Sequence, residues 1–199
     1  SKYMRWIWEQ GNIFEEYVIS LVQESGIFVA TQVAIYDAKH NISGRIDWIA
    51  LDPHTGKYIL CEAKSVYGYN ADTVLGSEWE RKRGISGVPR DKNAMQLAIY
   101  DYHYADEEKF TYSQLIYGDR GTGVFAVFQL HVEKDTGVIK YRQIDPSVCE
   151  WKEFPYKIFD ILGNFATQQE NLNNGTLPPR DFNIKYTMEE IKKFVNDGY

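Results

Sequence analysis

Cysteine is scarce in this chain, with two in 199 residues, Cys61 and Cys149. They are too few, too far apart and too isolated from any CxxC pair to frame a zinc or iron-sulfur site. Cys61 lies in an apolar run and reads as a reduced core thiol. Histidine is equally sparse: His40, His54, His103 and His131 fall in no metal-ligand spacing. No apolar run approaches the roughly 18 residues that span a bilayer, which excludes a membrane helix and implies solubility. Residues 1–14 are broken by Lys2, Arg5 and Glu9 and do not have the form of a signal peptide, so a cytoplasmic location is expected. Positive charge is in deficit, 22 Lys and Arg against 28 Asp and Glu for a net charge of -6. That balance argues against a broad phosphate-binding footprint. A local basic strip nevertheless occurs at Arg81, Lys82, Arg83, Arg90 and Lys92. Internal repeats and low-complexity segments are absent.

What the chain does have is 44% hydrophobic residues in a length suited to one domain. Phe14, Val18, Leu21 and Val22 recur at helical spacing and predict an amphipathic helix over 6–24, ended by Gly26. At 100° per residue Glu15 falls on the edge of the apolar face, whereas Glu16 points to solvent. Strands are expected at 31–36, 44–51 and 57–64, a helix capped by Asp91 at 91–104, and further strands at 112–117, 123–132 and 138–144. A helix over 147–170, a loop over 171–179 and a short helix opened by Thr187 and Glu190 complete the reading. The segment from Gly118 to Gly123 has no closing Gly-Lys-Ser/Thr and reads as a strand connection, not a phosphate loop. The fold class is α/β (α+β), one domain over 1–199 with a core at about 11–145 and a helical elaboration at about 146–199.

Asp52-Pro53-His54-Thr55-Gly56 has the chemistry of a tight turn between the second and third strands. If Asp52 pairs with Lys57, the register carried inward sets Asp47 directly opposite Glu62. Opposed carboxylates on one sheet face repel at a Cβ separation of about 5 Å. A divalent cation offsets that repulsion, and Mg²⁺ is suited to a site with one or two carboxylates. Glu62 and Lys64, two apart on one strand, share the same face. Apolar neighbours surround both acids, which sets them apart from ordinary surface charges.

The pattern Gly44-Arg45-Ile46-Asp47, then, after fourteen intervening residues, Glu62-Ala63-Lys64, resembles the D…(D/E)xK signature of PD-(D/E)xK nucleases. Gln96-Leu97-Ala98-Ile99-Tyr100 is similar to the QxxxY motif of the RecB-like and Cas4-like branch. Gly11-Asn12-Ile13-Phe14-Glu15 resembles the Gly-x-x-x-Glu form of that branch's first helix. The likeness spans about residues 11–104 and does not extend to the branch's iron-sulfur cysteines, so no such cluster is implied. It implies a restriction-endonuclease-like core, a central mixed sheet flanked by helices, and Mg²⁺ or Mn²⁺ as cofactor. Asp47, Glu62 and Lys64 would be catalytic. Asp47, Glu62 and the Ala63 carbonyl would ligate the metal, with Glu15 an additional ligand, direct or through water. Lys64 would orient the attacking water or offset developing charge. Gln96 and Tyr100 would position Lys64, the water or a DNA phosphate, and Arg81, Lys82, Arg83, Arg90 and Lys92 would contact the DNA backbone. Trp79 and Tyr69 are candidates for base stacking.

The expected function is DNA hydrolysis, favoured by QxxxY as an exonuclease of recombination, repair or phage DNA metabolism. A restriction-type endonuclease and a noncatalytic binding module on the same fold remain the alternatives. DNA is the expected partner, with a homo-oligomer or a helicase as a further one.

Overall fold

The computed structural model describes residues 2–40, 42–83, 87–106, 108–145, 147–148 and 150–174. Helix α1 (Lys2–Glu24) is followed by three strands, β1 (Phe28–Asp37), β2 (Ile42–Leu51) and β3 (Tyr58–Val66). Two short helices, α2 (Tyr69–Leu75) and α3 (Glu78–Arg81), then lead to α4 (Asp91–Tyr104). Strands β4 (Ser113–Asp119), β5 (Phe125–Val132), β6 (Ile139–Asp145), β7 (Ser147–Val148) and β8 (Lys152–Glu153) precede α5 (Ile158–Asn173).

The strands form one mixed eight-stranded sheet in the order β1-β2-β3-β4-β5-β6-β7, with β8 also paired to β6. Its pairs are antiparallel except β3 with β4, and this parallel step is bridged by the crossover that contains α2, α3 and α4. Helices cover both faces. Val18 of α1, with Phe14, Ile19 and Val22 beside it, packs on Trp48, Ala50, Ile59, Cys61 and Ala63. Leu97 and Ala98 of α4 and Ile161 of α5 belong to the larger core with Ile49, Leu60 and Leu115. Covered on both sides, β3 is buried from Ile59 to Ala63, and its sequence is nearly continuous in apolar character for that reason.

Local chemistry explains most of the boundaries. The α1 helix stops where Gly26 takes a φ of 75°. At the β2–β3 turn Asp52 accepts hydrogen bonds from the His54 N–H and the Thr55 hydroxyl, and Gly56 supplies a φ of 69°. The Asp52 N–H donates to the Lys57 carbonyl, which sets the expected register. Between β4 and β5 the Asp119 carboxylate accepts from the Gly121 N–H and the Thr122 hydroxyl, so this segment is the strand connection its residues suggested.

Four expectations are corrected. The segment 65–90, to which the sequence assigned no helix or strand, contains α2 and α3. The capping box of α3, in which the Ser77 hydroxyl and the Glu80 carboxylate each accept from the other's N–H, was written in the sequence as Ser-x-x-Glu. Asp91 is the first helical residue of α4 and Arg90 is its N-cap. Leu21, assigned to the apolar face of α1, is 43% exposed. The helix expected over 147–170 begins only at Ile158 and runs to Asn173. Lys152 and Glu153 instead extend the sheet beside β6, and Pro155 favours extended backbone at Phe154, which is buried. Cys149 and the Thr187–Glu190 pattern lie outside the described residues.

Candidate active site

The β2–β3 ladder runs from Leu51 opposite Tyr58 to Trp48 opposite Cys61. The same register taken one step further sets Asp47 against Glu62, and there the side chains take over from the backbone. The Ala63 N–H donates to Asp47 Oδ2 at 2.8 Å, and the Asp47 N–H to Glu62 Oε2 at 3.4 Å. Lys64 reaches back along β3 and donates from Nζ to Glu62 Oε1 at 2.6 Å. Glu62 is 1% exposed and Asp47 8%, so two acids and a lysine converge in a setting that strands normally reserve for apolar side chains.

Burial and mutual repulsion govern the protonation of these acids. Burial, then the Glu62 charge, pushes the Asp47 carboxyl from 3.8 up to about 7, against the Ala63 N–H and Lys64, which pull it down. Burial also raises Glu62, although Lys64 opposes it. Burial alone would lower the Lys64 ammonium, but the Glu62 carboxylate outweighs it and the net shift is upward. Lys64 is therefore a held cation in this arrangement, not a free base.

Gln96 Nε2 donates to the Tyr100 hydroxyl at 3.0 Å, so the two ends of the QxxxY pattern are bonded on one face of α4. Burial raises the Tyr100 phenol, whose electrostatic neighbours include Glu62 and Lys64. A Cβ on Gly44 would stand 2.6 Å from the Tyr100 hydroxyl oxygen, so glycine at 44 is what lets the phenol lie against β2. Gln96 and Tyr100 line a cleft of about 470 Å³ together with Ser43, Lys92 and Phe165.

Glu15 stands on the flank of α1, half-buried beside exposed Glu16. Its charge raises both Asp47 and Glu62. Among the described residues, however, the three carboxylates do not form a group with all ligand atoms within 4.8 Å of one another. The basic strip is less unified. Arg81 closes α3. Lys82 pairs with Glu78 at 2.7 Å, and the Arg83 guanidinium lies 3.9 Å from the Trp79 ring centre. Arg90 is exposed, its N–H donating to the Tyr117 hydroxyl, and Lys92 shares the cleft of Gln96. Tyr69 is 85% exposed.

Two arrangements were not anticipated. Gln32 Nε2 donates to Glu15 Oε1 at 2.8 Å, from a backbone φ of 52° that is costly for a residue with a Cβ. Its position between Thr31, paired with Trp48, and Val33, paired with Ile46, sets it alongside Asp47. The second is a cluster of Asp37, His40 and His103, which the histidine spacings concealed because the fold, not the local sequence, assembles it.

No protein-family model matches the chain, and no curated protein matches it significantly.

Proposed function

We propose that this protein is a Mg²⁺- or Mn²⁺-dependent deoxyribonuclease of the PD-(D/E)xK type on a restriction-endonuclease-like core, acting on DNA in the cytoplasm. The observation that carries the reading is the Asp47–Glu62 pair, two buried carboxylates that replace the next backbone rung of the β2–β3 ladder, with Lys64 bonded to one of them. A structural role does not account for this expense, since burying two like charges side by side destabilises the sheet.

The donor set fits a hard divalent ion. Asp47 and Glu62 present carboxylates from facing positions of β2 and β3, each bonded to the backbone of the other strand, and oxygen ligands with room for water are what Mg²⁺ and Mn²⁺ prefer. When bound, the ion supplies Lewis-acid stabilisation of the phosphoryl oxygens and lowers the pKa of a water. The chain's own groups do the rest. Asp47, held by the Ala63 N–H, and Glu62, held by Lys64, keep their orientation without side-chain rearrangement. Lys64, kept cationic by Glu62, faces the charge that develops on the phosphoryl group and orients the nucleophile. Glu15, steadied by Gln32, adds a second layer through water. Gln96 and Tyr100, with Lys92 beside them, position the scissile phosphate, while Arg81, Lys82, Arg83 and Arg90 contact the backbone further along. QxxxY on the helix behind the site favours attack from a DNA end. The outward stripe of α1, where Trp6, Ile13, Tyr17 and Leu21 are exposed, is the surface on which to seek a second copy or a helicase.

The test is incubation of purified protein with end-labelled linear and covalently closed circular DNA, in Mg²⁺, Mn²⁺ or chelator, beside Glu62→Ala. Metal-dependent loss of the linear species, abolished in the variant, is the expected result. Cutting of circles would convert the reading to an endonuclease. Intact DNA with both metals, despite binding, would overturn it in favour of a noncatalytic module.

A further inference from the structure

Asp37, the last residue of β1, holds the turn into β2 through one carboxylate oxygen. Its Oδ1 accepts from the backbone N–H groups of Lys39 and His40 at 2.9 and 3.2 Å. The other oxygen is met by two imidazoles, one from the turn and one from a distant part of the chain. His40 Nδ1 lies 2.5 Å and His103 Nε2 2.9 Å from Asp37 Oδ2. His103 is in the last turn of α4, the helix of Gln96 and Tyr100. The three ligand atoms all lie within 4.8 Å of one another.

We propose that Asp37, His40 and His103 form a binding site for a borderline-soft divalent transition metal of the zinc class, separate from the two-carboxylate site. Two imidazole nitrogens and one carboxylate oxygen suit Zn²⁺, whereas Mg²⁺ takes an all-oxygen shell, so the two sites differ in the metal they select. The requirements beyond ligand type are also met. The backbone of the turn orients the carboxylate, as outer hydrogen bonds do in metal sites. The side chains are neither sealed nor loose, with His40 16%, Asp37 11% and His103 24% exposed, so an ion has a path in. The hydrogen bonds that converge on Oδ2 and metal ligation exclude each other. In the bound form the ring proton of His40 sits on Nε2 and that of His103 on Nδ1, any second ring proton leaves to solvent, and the N–H···O contacts open as the ion enters between them. The ion ties the β1–β2 turn to the end of α4 and so fixes the helix that presents Gln96 and Tyr100 to the cleft.

The experiment removes the other site first. Untagged protein carrying Asp47→Asn and Glu62→Gln is titrated with Zn²⁺ by calorimetry and, in parallel, by NMR of the histidine ring protons, of which four sets exist. One equivalent should bind, shift the rings of His40 and His103 and leave those of His54 and His131 in place. Adding His40→Asn or His103→Asn should weaken binding at least tenfold, and millimolar Mg²⁺ should not compete. Absence of a one-to-one event, or binding that shifts neither ring, would overturn the proposal even if a histidine variant proved unstable. Because nuclease activity enters nowhere, the result is independent of the reading of the catalytic site.

Discussion

Replacing Asp47 by Asn should make the metal-free protein more stable at neutral pH while abolishing cleavage. The Asp47 carboxyl is pushed from 3.8 up to about 7 by burial first and Glu62 second. A raised carboxyl binds its proton more tightly in the folded than in the unfolded chain, so stability falls as pH rises between these two values. Below about pH 4 the penalty is absent. Above about pH 7 it is complete, and the gap of about 3 units at 1.36 kcal/mol each sets an upper bound of about 4 kcal/mol. The acids titrate as a pair, so part of this belongs to Glu62, and a gain of about 2–4 kcal/mol is expected for Asp47→Asn at pH 7.5 in chelator. Asn retains an oxygen for the Ala63 N–H, so the hydrogen bond is not lost with the charge. Urea unfolding followed by tryptophan fluorescence suits the question, because Trp48, 1% exposed, is the neighbouring residue. The two proteins should converge toward pH 4, diverge by pH 7.5, and converge again when Mg²⁺ stabilises only the wild type. Equal slopes of stability with pH, or a variant less stable than wild type at pH 7.5 in chelator, would refute the account of the pair.

Three further outcomes follow from the same geometry. Lys64→Met leaves Glu62 without its ion-pair partner; it should lower the cleavage rate by about 100-fold and the urea midpoint as well, and a near-normal rate would remove Lys64 from the mechanism. Gly44→Ala puts a methyl 2.6 Å from the Tyr100 oxygen, and should cost about 1–3 kcal/mol and at least tenfold in rate. In a double-mutant cycle with Tyr100→Ala the stability loss should be strongly non-additive, and additivity would mean the contact is not what glycine preserves. Gln32→Gly relieves the φ of 52° and should stabilise by about 1 kcal/mol, whereas Gln32→Ala should not. Both release Glu15 and should raise the Mg²⁺ concentration for half-maximal cleavage, and equal stability of the two variants would show that the backbone there is unstrained.

The hairpin was legible because turn chemistry sets register. Asp52 and Gly56 specify where β2 ends and β3 begins, and a period of two then leaves no freedom about which side chains face each other. The elements that escaped are those whose boundaries rest on tertiary contacts. The β8 strand is two residues long and is held by β6, and α5 waits until the chain has passed Pro155 and Ile158 has docked its N–H on the Gly137 carbonyl. The α3 helix is different, since its capping box was available and only its four-residue length hid it.

The two clusters of ligand-type residues show what kind of site a single sequence exposes. Asp47 and Glu62 interrupt apolar strands, so each breaks the local rule for its own element, and the break is visible in the order of residues alone. Asp37, His40 and His103 break no rule. An Asp at a strand end, a His in a turn and a His in the last turn of a helix are each ordinary where they stand. Their meeting is a property of the crossover that brings the end of α4 over the β1–β2 turn. Gln32 is intermediate: a polar residue on an edge strand excites no notice, and only its positive φ marks it. Ligand-type groups inside the core therefore announce themselves through the pattern they violate, whereas those assembled at its rim have to be found by tracing which ends of elements the topology brings together.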